Sequence, residues 1–228
     1  MIALSDFRPE GVVFDLDGTL TDNMAYHAEA FALFLRRHGL PAMTMAMRQR
    51  LDGKRNSEIF PILFNRDLTL EELRVFADEK ESAYRELSRE RLQPLAGAVT
   101  LLERLAARGI GVAVATSAPQ QNVVHTLSAI GLAERIKVVT RSDAVPRGKP
   151  FPDVFLRAAQ ELGVSPEACL AFEDAPVGVA AARRAGMRCG AITSTFSAET
   201  FAAADPSPDA AYRDFEAYLE SDGSWLAN

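Results

Sequence analysis

A short apolar run that ends in two closely spaced aspartates does most to limit what this chain can fold into. Residues 12–14 are apolar, and Asp15, Asp17 and Gly18 follow them. An unbroken, β-branched run of this kind predicts a strand buried on both faces, which is typical of a parallel sheet. Ligands bind beyond the carboxyl ends of such strands, so the run predicts that the two aspartates lie at a binding site.

The two aspartates have a chemical and a structural interpretation. On an extended backbone, residues two apart point the same way, so Asp15 and Asp17 would repel each other unless a cation lies between or beside them. Mg²⁺ takes oxygen ligands and works on phosphates, so one aspartate could be a nucleophile and the other an acid/base. The alternative is a solvated polar turn, in which Gly18 permits the chain to reverse.

The chain beyond residue 92 alternates helices and strands. We predict helices at 97–107, 120–130, 153–162, 176–185 and 213–220, and strands at 110–117, 136–139, 170–172 and 190–193. Residues 195–209 are rich in Ala, Ser and Pro and are predicted to be a loop with a little helix. Together with the first strand, this order predicts an α/β fold, a doubly wound parallel sheet with a Rossmann-like core and right-handed crossovers.

A helical insert follows the first strand. We predict a helix that begins with a cap at Asp22 or Asn23 and runs to about His38, and a capping box at Thr69 and Glu72 starts another helix. No strand is predicted between residues 43 and 90. The sequence therefore predicts a small all-helical cap domain at 23–91, inserted into a core made of 1–22 and 92–228.

Length and charge limit the classes of partner. A chain of 228 residues suits one large α/β domain or a core with a smaller accessory domain. Its net charge of −6 gives no reason to expect a nucleic acid or an anionic membrane surface as partner. No apolar stretch approaches the ~18 residues of a membrane span, and residues 1–10 lack a signal-peptide pattern. We expect a cytoplasmic monomer, with Cys169 and Cys189 as buried free thiols.

Polar side chains follow three of the predicted strands. Because the carboxyl ends of parallel strands meet at one edge, we expect these groups to converge. They supply a nucleophile, an acid/base, a hydroxyl, a cation and metal-binding carboxylates, which are the parts that phosphoryl transfer needs. The residues are Asp15, Asp17, Thr116, Ser117, Glu173 and Asp174, with Lys149 just before a helix.

Each of these groups also has a structural interpretation when it is taken alone. Thr116 and Ser117 could cap the helix that starts at 120. Lys149 could be a surface lysine, and Glu173 and Asp174 could interact with the N-terminus of the helix that starts at 176. Their joint order along one sheet edge favours a site.

Four segments carry a family resemblance. DLDGTL, VAVATSAP, GKPFPDVF and FEDAPVGVAAARRAGM resemble, in order, the motif set of the haloacid dehalogenase-like superfamily, and the chain is similar to its β-phosphoglucomutase-like branch, whose helical cap follows the first strand. The resemblance implies that Asp15 attacks phosphorus and carries an aspartyl phosphate, and that Asp17 is the acid/base. It also implies that Thr116 and Lys149 hold phosphate oxygens.

The same resemblance implies a Mg²⁺ site and a set of substrate contacts. The metal ligands would be Asp15, the Asp17 backbone carbonyl and Asp174, with Glu173 as a further candidate. The substrate contacts would come from the cap and from the second motif, and they are Asn23, His27, Gly53, Lys54, Asn56, Ser117 and Ala118. For His27, a position on an ordinary helix face is the alternative.

The cap departs from the mutase pattern at two positions. Mutases of that branch carry Lys directly before the cap glycine and Arg three residues after it, whereas this chain has Asp52 and Asn56 around Gly53. The sequence therefore predicts a Mg²⁺-dependent phosphatase of a small phosphorylated metabolite, a sugar phosphate in particular. A sugar phosphomutase is the alternative, which His27 favours.

Two further classes fit the residues less well. A haloacid dehalogenase would not need Asp17, Asp174 or the metal. A binding protein without catalytic activity would be expected to lack at least one of Asp15, Asp17, Lys149 and Asp174, and this chain has all four.

Overall fold

The computed structural model describes residues 4–226 and is built on a six-stranded parallel sheet. The strand order is β3-β2-β1-β4-β5-β6, so β1 is central and successive strands are added to either side of it. This reversal beside β1 places the topological switch point at the end of the strand that precedes Asp15. The strands are β1 (Gly11–Phe14), β2 (Gly111–Thr116), β3 (Val138–Arg141), β4 (Cys169–Glu173), β5 (Arg188–Ile192) and β6 (Ala210–Tyr212).

Ten α-helices accompany these strands within the described residues. Five of them lie between β1 and β2 in the chain, and the others alternate with strands as predicted. They are α1 (Met24–Arg37), α2 (Met45–Leu51), α3 (Asn56–Phe64), α4 (Leu70–Ser88), α5 (Ala98–Ala107), α6 (Gln120–Ala129), α7 (Asp153–Leu162), α8 (Pro176–Arg184), α9 (Ala198–Ala202) and α10 (Phe215–Glu220). The predicted doubly wound α/β fold is confirmed.

The two faces of the sheet are covered by separate apolar clusters. Successive side chains of a strand point to opposite faces. Accordingly, Val12 and Phe14 of β1 pack in one cluster with residues of α5, α6 and α10, while Val13 packs in another with residues of α7 and α8. Burial on both faces explains why β1 has an unbroken apolar sequence and why its carboxyl end alone carries charge.

Strand assignments differ from the predictions at three places. β3 covers Val138–Arg141 rather than 136–139, and its pairing with β2 sets this register. β5 covers Arg188–Ile192 rather than 190–193, in register with β4. The sixth strand, β6, was not predicted. It has three residues, two of them alanine, and pairs only with β5 at the sheet edge, so it leaves almost no periodic signal.

The first four helices, α1 to α4, have an apolar cluster of their own. It contains Phe31, Phe34, Leu51 and Phe60, and α1 packs along α4. The capping box is present, since the Glu72 amide donates to Thr69 Oγ1 (3.2 Å) and the Thr69 amide donates to the Glu72 carboxylate (2.8 Å). The predicted boundaries of a cap domain at 23–91 remain a prediction.

Both cysteines are free and buried, as predicted. Within 4–226 no helix is long and apolar enough to cross a membrane. Residues 1–3 and 227–228 of the predicted core, and with them the start of the segment judged not to be a signal peptide, lie outside the described residues.

Candidate active site

The carboxyl end of β1 presents Asp15 between the neighbouring strands. The Asp15 amide donates to the Phe172 carbonyl of β4 (2.9 Å), which extends the pairing one residue beyond β1. The chain then reverses at Gly18, whose φ of 82° favours glycine. A side chain at Gly18 would run into Asp174 and Thr195, so this position needs glycine for space as well as for conformation.

Lys149 joins the first and fourth strands through their acidic side chains. Its Nζ lies 2.5 Å from Asp15 Oδ1 and 2.6 Å from Glu173 Oε1, and only 1% of the residue is exposed. The interpretation of Lys149 as a surface lysine is therefore wrong. Burial opposes its charge, but the two carboxylates outweigh that effect and hold the pKa of Lys149 above its ordinary value.

Three carboxylates form the one acidic cluster in 4–226 that could hold a metal ion. Oxygens of Asp15, Glu173 and Asp174 lie within 4.8 Å of one another. When ionised they carry three negative charges against the single positive charge of Lys149, a local balance of −3 + 1 = −2. Burial and mutual repulsion raise the pKa of Asp15 to about 8 and that of Asp174 well above its ordinary value.

That charge balance and the all-oxygen donor set fit a hard divalent cation such as Mg²⁺. The Glu173 carboxylate also accepts from Lys149 and from the amides of Asp174 (3.0 Å) and Ala175 (3.2 Å). Asp174 accepts a hydrogen bond from the Thr195 hydroxyl. Because more of its acceptor capacity is used within the protein, Glu173 is less free to bind a cation than Asp15 or Asp174.

Asp17 is held apart from this cluster. Its carboxylate accepts from Asn23 Nδ2 (2.6 Å) and lies 3.7 Å from His27 Nε2, and its side chain is not one of the clustered metal-binding groups. Burial alone would raise the pKa of Asp17, but His27, Asn23 and the more distant Lys80 outweigh it and lower the pKa. The proposed role of the Asp17 backbone carbonyl as a metal ligand remains a prediction.

Asn23 supports the aspartate loop and does not line the cavity. It is fully buried, its Oδ1 accepts from the Gly18 amide (2.9 Å), and its Nδ2 also donates to the Tyr84 hydroxyl (2.6 Å). Its hydrogen-bonding capacity is thus used within the protein, which leaves little for the predicted contact with substrate. The residue is the N-cap of α1, yet its side chain makes no capping bond, contrary to the sequence expectation.

The second motif contributes Thr116, Ser117 and Ala118 to the lining of the cavity. Thr116 Oγ1 accepts from the Ala118 amide (3.0 Å), and Ser117 Oγ donates to the Gly53 carbonyl (2.7 Å). The N-cap of α6 is Pro119, so neither hydroxyl caps that helix and this alternative is wrong. Ser117 instead links the core to the loop that carries Gly53.

The cap contains a buried polar cluster that the sequence did not predict. The His27 ring stacks on Tyr84 with centroids 3.8 Å apart, and its Nδ1 lies 2.8 Å from Lys80 Nζ. Lys80 also donates to Glu81 (3.0 Å), and both charges are buried. The signal was present, because Lys80 continues the stripe of α4 that contains Leu73 and Phe76, where an apolar residue is expected.

Glu81 connects this cluster to α3 and α6. It accepts from Asn56 of α3 (2.7 Å) and from Asn122 of α6 (2.6 Å). Asn56 lines the cavity, but its amide nitrogen is already bound to Glu81, and its role as a substrate contact remains a prediction. Burial would raise the pKa of Glu81, whereas Lys80, His27 and Asn56 together lower it.

The other predicted cap residues surround the same cavity of about 480 Å³. Gly53 and Lys54 line it, and Gly53 has a φ of 88° with Val177 of α8 close to its Cα. Asp52 is bound by Arg48 at 3.0 Å, so the two opposite charges already satisfy each other. The cavity also reaches Asp15, Asp17, Glu173 and Asp174, so the cap and the sheet edge enclose one site.

Comparisons with known proteins agree with this geometry. The family model of the haloacid dehalogenase-like hydrolases matches residues 9–186. The chain is 34% identical over 85% of its length to a validoxylamine A 7'-phosphate phosphatase of Streptomyces hygroscopicus subsp. limoneus, of which 90% is covered. It is 33% identical over 79% of its length to the fructose-1-phosphate phosphatase YqaB of Escherichia coli, of which 94% is covered.

Solved structures show the same fold. A hydrolase of family IA, variant 3, from Entamoeba histolytica has a TM-score of 0.82 and 27% identity, with 96% of this chain and 99% of that one covered. The CbbY protein of Rhodobacter sphaeroides in complex with phosphate has a TM-score of 0.78 and 27% identity, with 93% and 96% covered. A β-phosphoglucomutase of Clostridium difficile, at 23% identity and a TM-score of 0.80, shares the fold. The chain therefore belongs to the haloacid dehalogenase-like hydrolases and is a phosphoric monoester hydrolase.

Proposed function

We propose that this protein is a Mg²⁺-dependent phosphatase of a small sugar or polyol phosphate and works through a phosphate ester on Asp15. The observation that carries the proposal is the contrast between its two aspartates. Asp15 is paired with Lys149 in the acidic cluster, whereas Asp17 is held separately by Asn23 and His27. Two carboxylates in different environments suit two different roles in one reaction.

In the first step a carboxylate oxygen of Asp15 attacks phosphorus, and the bond from phosphorus to the substrate's alcohol oxygen breaks. Asp17 delivers a proton to that oxygen from its protonated form, which the negative charge of a phosphate bound beside it would favour, so the alcohol leaves neutral. In the second step Asp17, now ionised, takes a proton from water, and the resulting hydroxide attacks phosphorus. The bond from phosphorus to Asp15 then breaks, which releases inorganic phosphate and leaves Asp15 ionised and Asp17 protonated, as at the start.

The other predicted residues have supporting tasks in this scheme. Lys149 and Thr116 would hold phosphate oxygens, since Lys149 contacts Asp15 and Thr116 ends the neighbouring strand β2. Asp15 and Asp174 would be the principal side-chain ligands of Mg²⁺, with Glu173 orienting Lys149 and the backbone. When bound, the metal ion would neutralise charge on the phosphoryl group.

The relatives support a sugar or polyol phosphate as substrate. They include phosphatases of fructose 1-phosphate, hexitol phosphates and phosphorylated carbohydrates. A test is the release of inorganic phosphate from a panel of sugar phosphates, nucleotides and phosphoglycolate, with and without Mg²⁺. We expect Mg²⁺-dependent release from one or more sugar or polyol phosphates, and no release from any member would contradict the proposal.

A phosphomutase is the second candidate, favoured by the position of His27 beside Asp17. A phosphomutase would need a cationic side chain that binds a second phosphate group. Of the four cations within 4–226 that line the cavity, Arg48 and Lys80 are already paired with the carboxylates of Asp52 and Glu81, which leaves Arg36 and Lys54 as candidates for that role. The phosphatase activity of the relatives at 33% and 34% identity favours the phosphatase.

A further inference from the structure

The cavity has an apolar part that phosphoryl transfer does not use. Along one side of α1, Met24, Ala28, Phe31 and Leu35 line it, and Leu40 and Met43 of the following loop continue the surface. We call these six residues the apolar lobe. Their spacing along α1 is helical, so they form one stripe that faces the cavity.

The apolar lobe leads away from the reacting groups. α1 starts directly after Asn23, which is bonded to Asp17, and its first lobe residue is Met24. Leu35 lies eleven residues further along the helix, a distance of about 16 Å at the usual helical rise. If a ligand binds with its phosphate at Asp15, the part of the ligand most distant from the phosphate therefore lies along this stripe.

The boundary between polar and apolar lining lies at Phe31. Lys80 Nζ is 4.4 Å from the centre of the Phe31 ring, and Lys80 itself is bound to His27 and Glu81. The buried polar groups of the cap are thus gathered beside the catalytic aspartates, whereas Arg36 of α1, which also lines the cavity, is exposed. The lobe residues beyond Phe31 on α1 and its loop are Leu35, Leu40 and Met43, whose side chains offer no hydrogen bond to a sugar hydroxyl.

We propose that the substrate is a sugar or polyol phosphate whose alcohol carries an apolar group at the end remote from the phosphate, and that this group binds in the apolar lobe. The inference rests on the phosphatase function proposed above and adds the chemical class of the leaving group. A hydroxylated segment next to the ester would meet His27, Lys80 and Asn56, and an alkyl, alicyclic or aryl segment would follow it. A purely polyhydroxylated chain of the same length would lose hydrogen bonds to water in the lobe without replacing them.

The test uses two homologous series, each from ethyl to octyl, on the complete protein. n-Alkyl phosphonates cannot be hydrolysed, and their binding in the presence of Mg²⁺ is measured by calorimetry. We expect the dissociation constant to fall about threefold to fourfold for each added methylene until the lobe is filled. The heat capacity change on binding should become more negative along the series. With n-alkyl phosphates as substrates, kcat/KM should rise in parallel.

A pair of matched substitutions tests whether the dependence of affinity on chain length arises in the apolar lobe. Met43→Gln changes polarity at nearly constant volume and should lower the ratio of octyl to ethyl affinity at least about threefold. Met45→Gln is the control, because Met45 is two residues away, 67% exposed and not part of the cavity lining. An equal loss in both variants would overturn the assignment to the lobe.

The outcomes separate the two proposals. A flat alkyl series, with polyol phosphates hydrolysed better than alkyl phosphates, would overturn the apolar leaving group and leave the phosphatase function standing. Failure to hydrolyse any phosphomonoester would overturn the phosphatase function, and the phosphonate series, which is followed by binding alone, would still show whether the lobe takes an apolar chain.

Discussion

Lys149 Nζ lies 2.5 Å from Asp15 Oδ1 although 134 residues separate the two in the chain. The sheet brings them together, because Asp15 follows the central strand and Lys149 lies in the loop before α7. The same ammonium group is 2.6 Å from Glu173 at the end of β4. One buried cation therefore holds two strand ends in register and fixes the position of the proposed nucleophile.

Replacement of that nucleophile should abolish turnover. Asp15→Asn keeps the size of the side chain but removes the attacking oxygen anion, so we expect kcat to fall at least about 10³-fold. Phosphate release measures the effect, and circular dichroism checks that the fold is kept. Asp22→Asn is the matched control, since Asp22 is exposed and nearby. Substantial activity in Asp15→Asn would rule out the proposed role.

Removal of divalent metal should stop the reaction reversibly. The cluster of Asp15, Glu173 and Asp174 carries excess negative charge, so chelator-treated protein should be inactive and Mg²⁺ should restore it. Calorimetry should show that Asp174→Asn binds Mg²⁺ at least about tenfold more weakly. Asp143→Asn, at an exposed site, should bind it normally. Full activity in metal-free protein would contradict the proposal.

The buried pair of Lys80 and Glu81 should matter for stability. Glu81→Gln leaves the Lys80 charge buried without its carboxylate, so we expect the free energy of unfolding to fall by about 3 kcal/mol at neutral pH. The double variant Lys80→Met/Glu81→Gln should recover much of this loss. Urea denaturation measures all three. A double variant as unstable as the single one would show that the charges are not coupled.

The pair of Lys80 and Glu81 should also make the free energy of unfolding depend on pH in the acidic range. The pKa of Glu81 is lower in the folded protein than its ordinary value, so the folded state binds fewer protons at this site than the unfolded state. The stability that ionised Glu81 contributes is therefore fully present above the unfolded pKa of about 4.3. It is lost as the pH falls through the lower pKa of the folded state. The wild type should lose more unfolding free energy below about pH 5 than the double variant, as measured by urea denaturation at each pH.

Hydrolase and mutase can be separated with one substrate. In the presence of Mg²⁺ and a trace of glucose 1,6-bisphosphate, β-glucose 1-phosphate should give slow phosphate release at most. Arg48 is bound to Asp52 and Lys80 to Glu81, so neither is free to hold a second phosphate against water. Rapid formation of glucose 6-phosphate without phosphate release would show that the protein is a mutase.

Much of the core could be predicted from the chain alone. Apolar runs that end in Asp15, Thr116 and Glu173 are visible without any structure, because a strand buried on both faces must be apolar until it reaches the sheet edge. The order of strands and helices then requires these ends to meet. β6 escaped prediction because three residues at a sheet edge are too few for a periodic pattern.

The contacts between side chains of the cap depend on tertiary packing. Periodicity shows which face of a helix is buried, but it does not show which side chains from other helices meet that face. For this reason Asn23 was expected at the substrate and instead binds Asp17 and Tyr84, and Lys80 was overlooked on a stripe of apolar residues.

The sequence by itself thus determined the parallel sheet, its switch point and the acidic strand end, because these depend on local patterns and on the fixed geometry of parallel strands. Only the tertiary structure decided which charges of the cap are already paired and which side of α1 faces the cavity. Those features depend on contacts between α1, α3, α4 and α6, which are distant in the chain and meet only when the helices pack together.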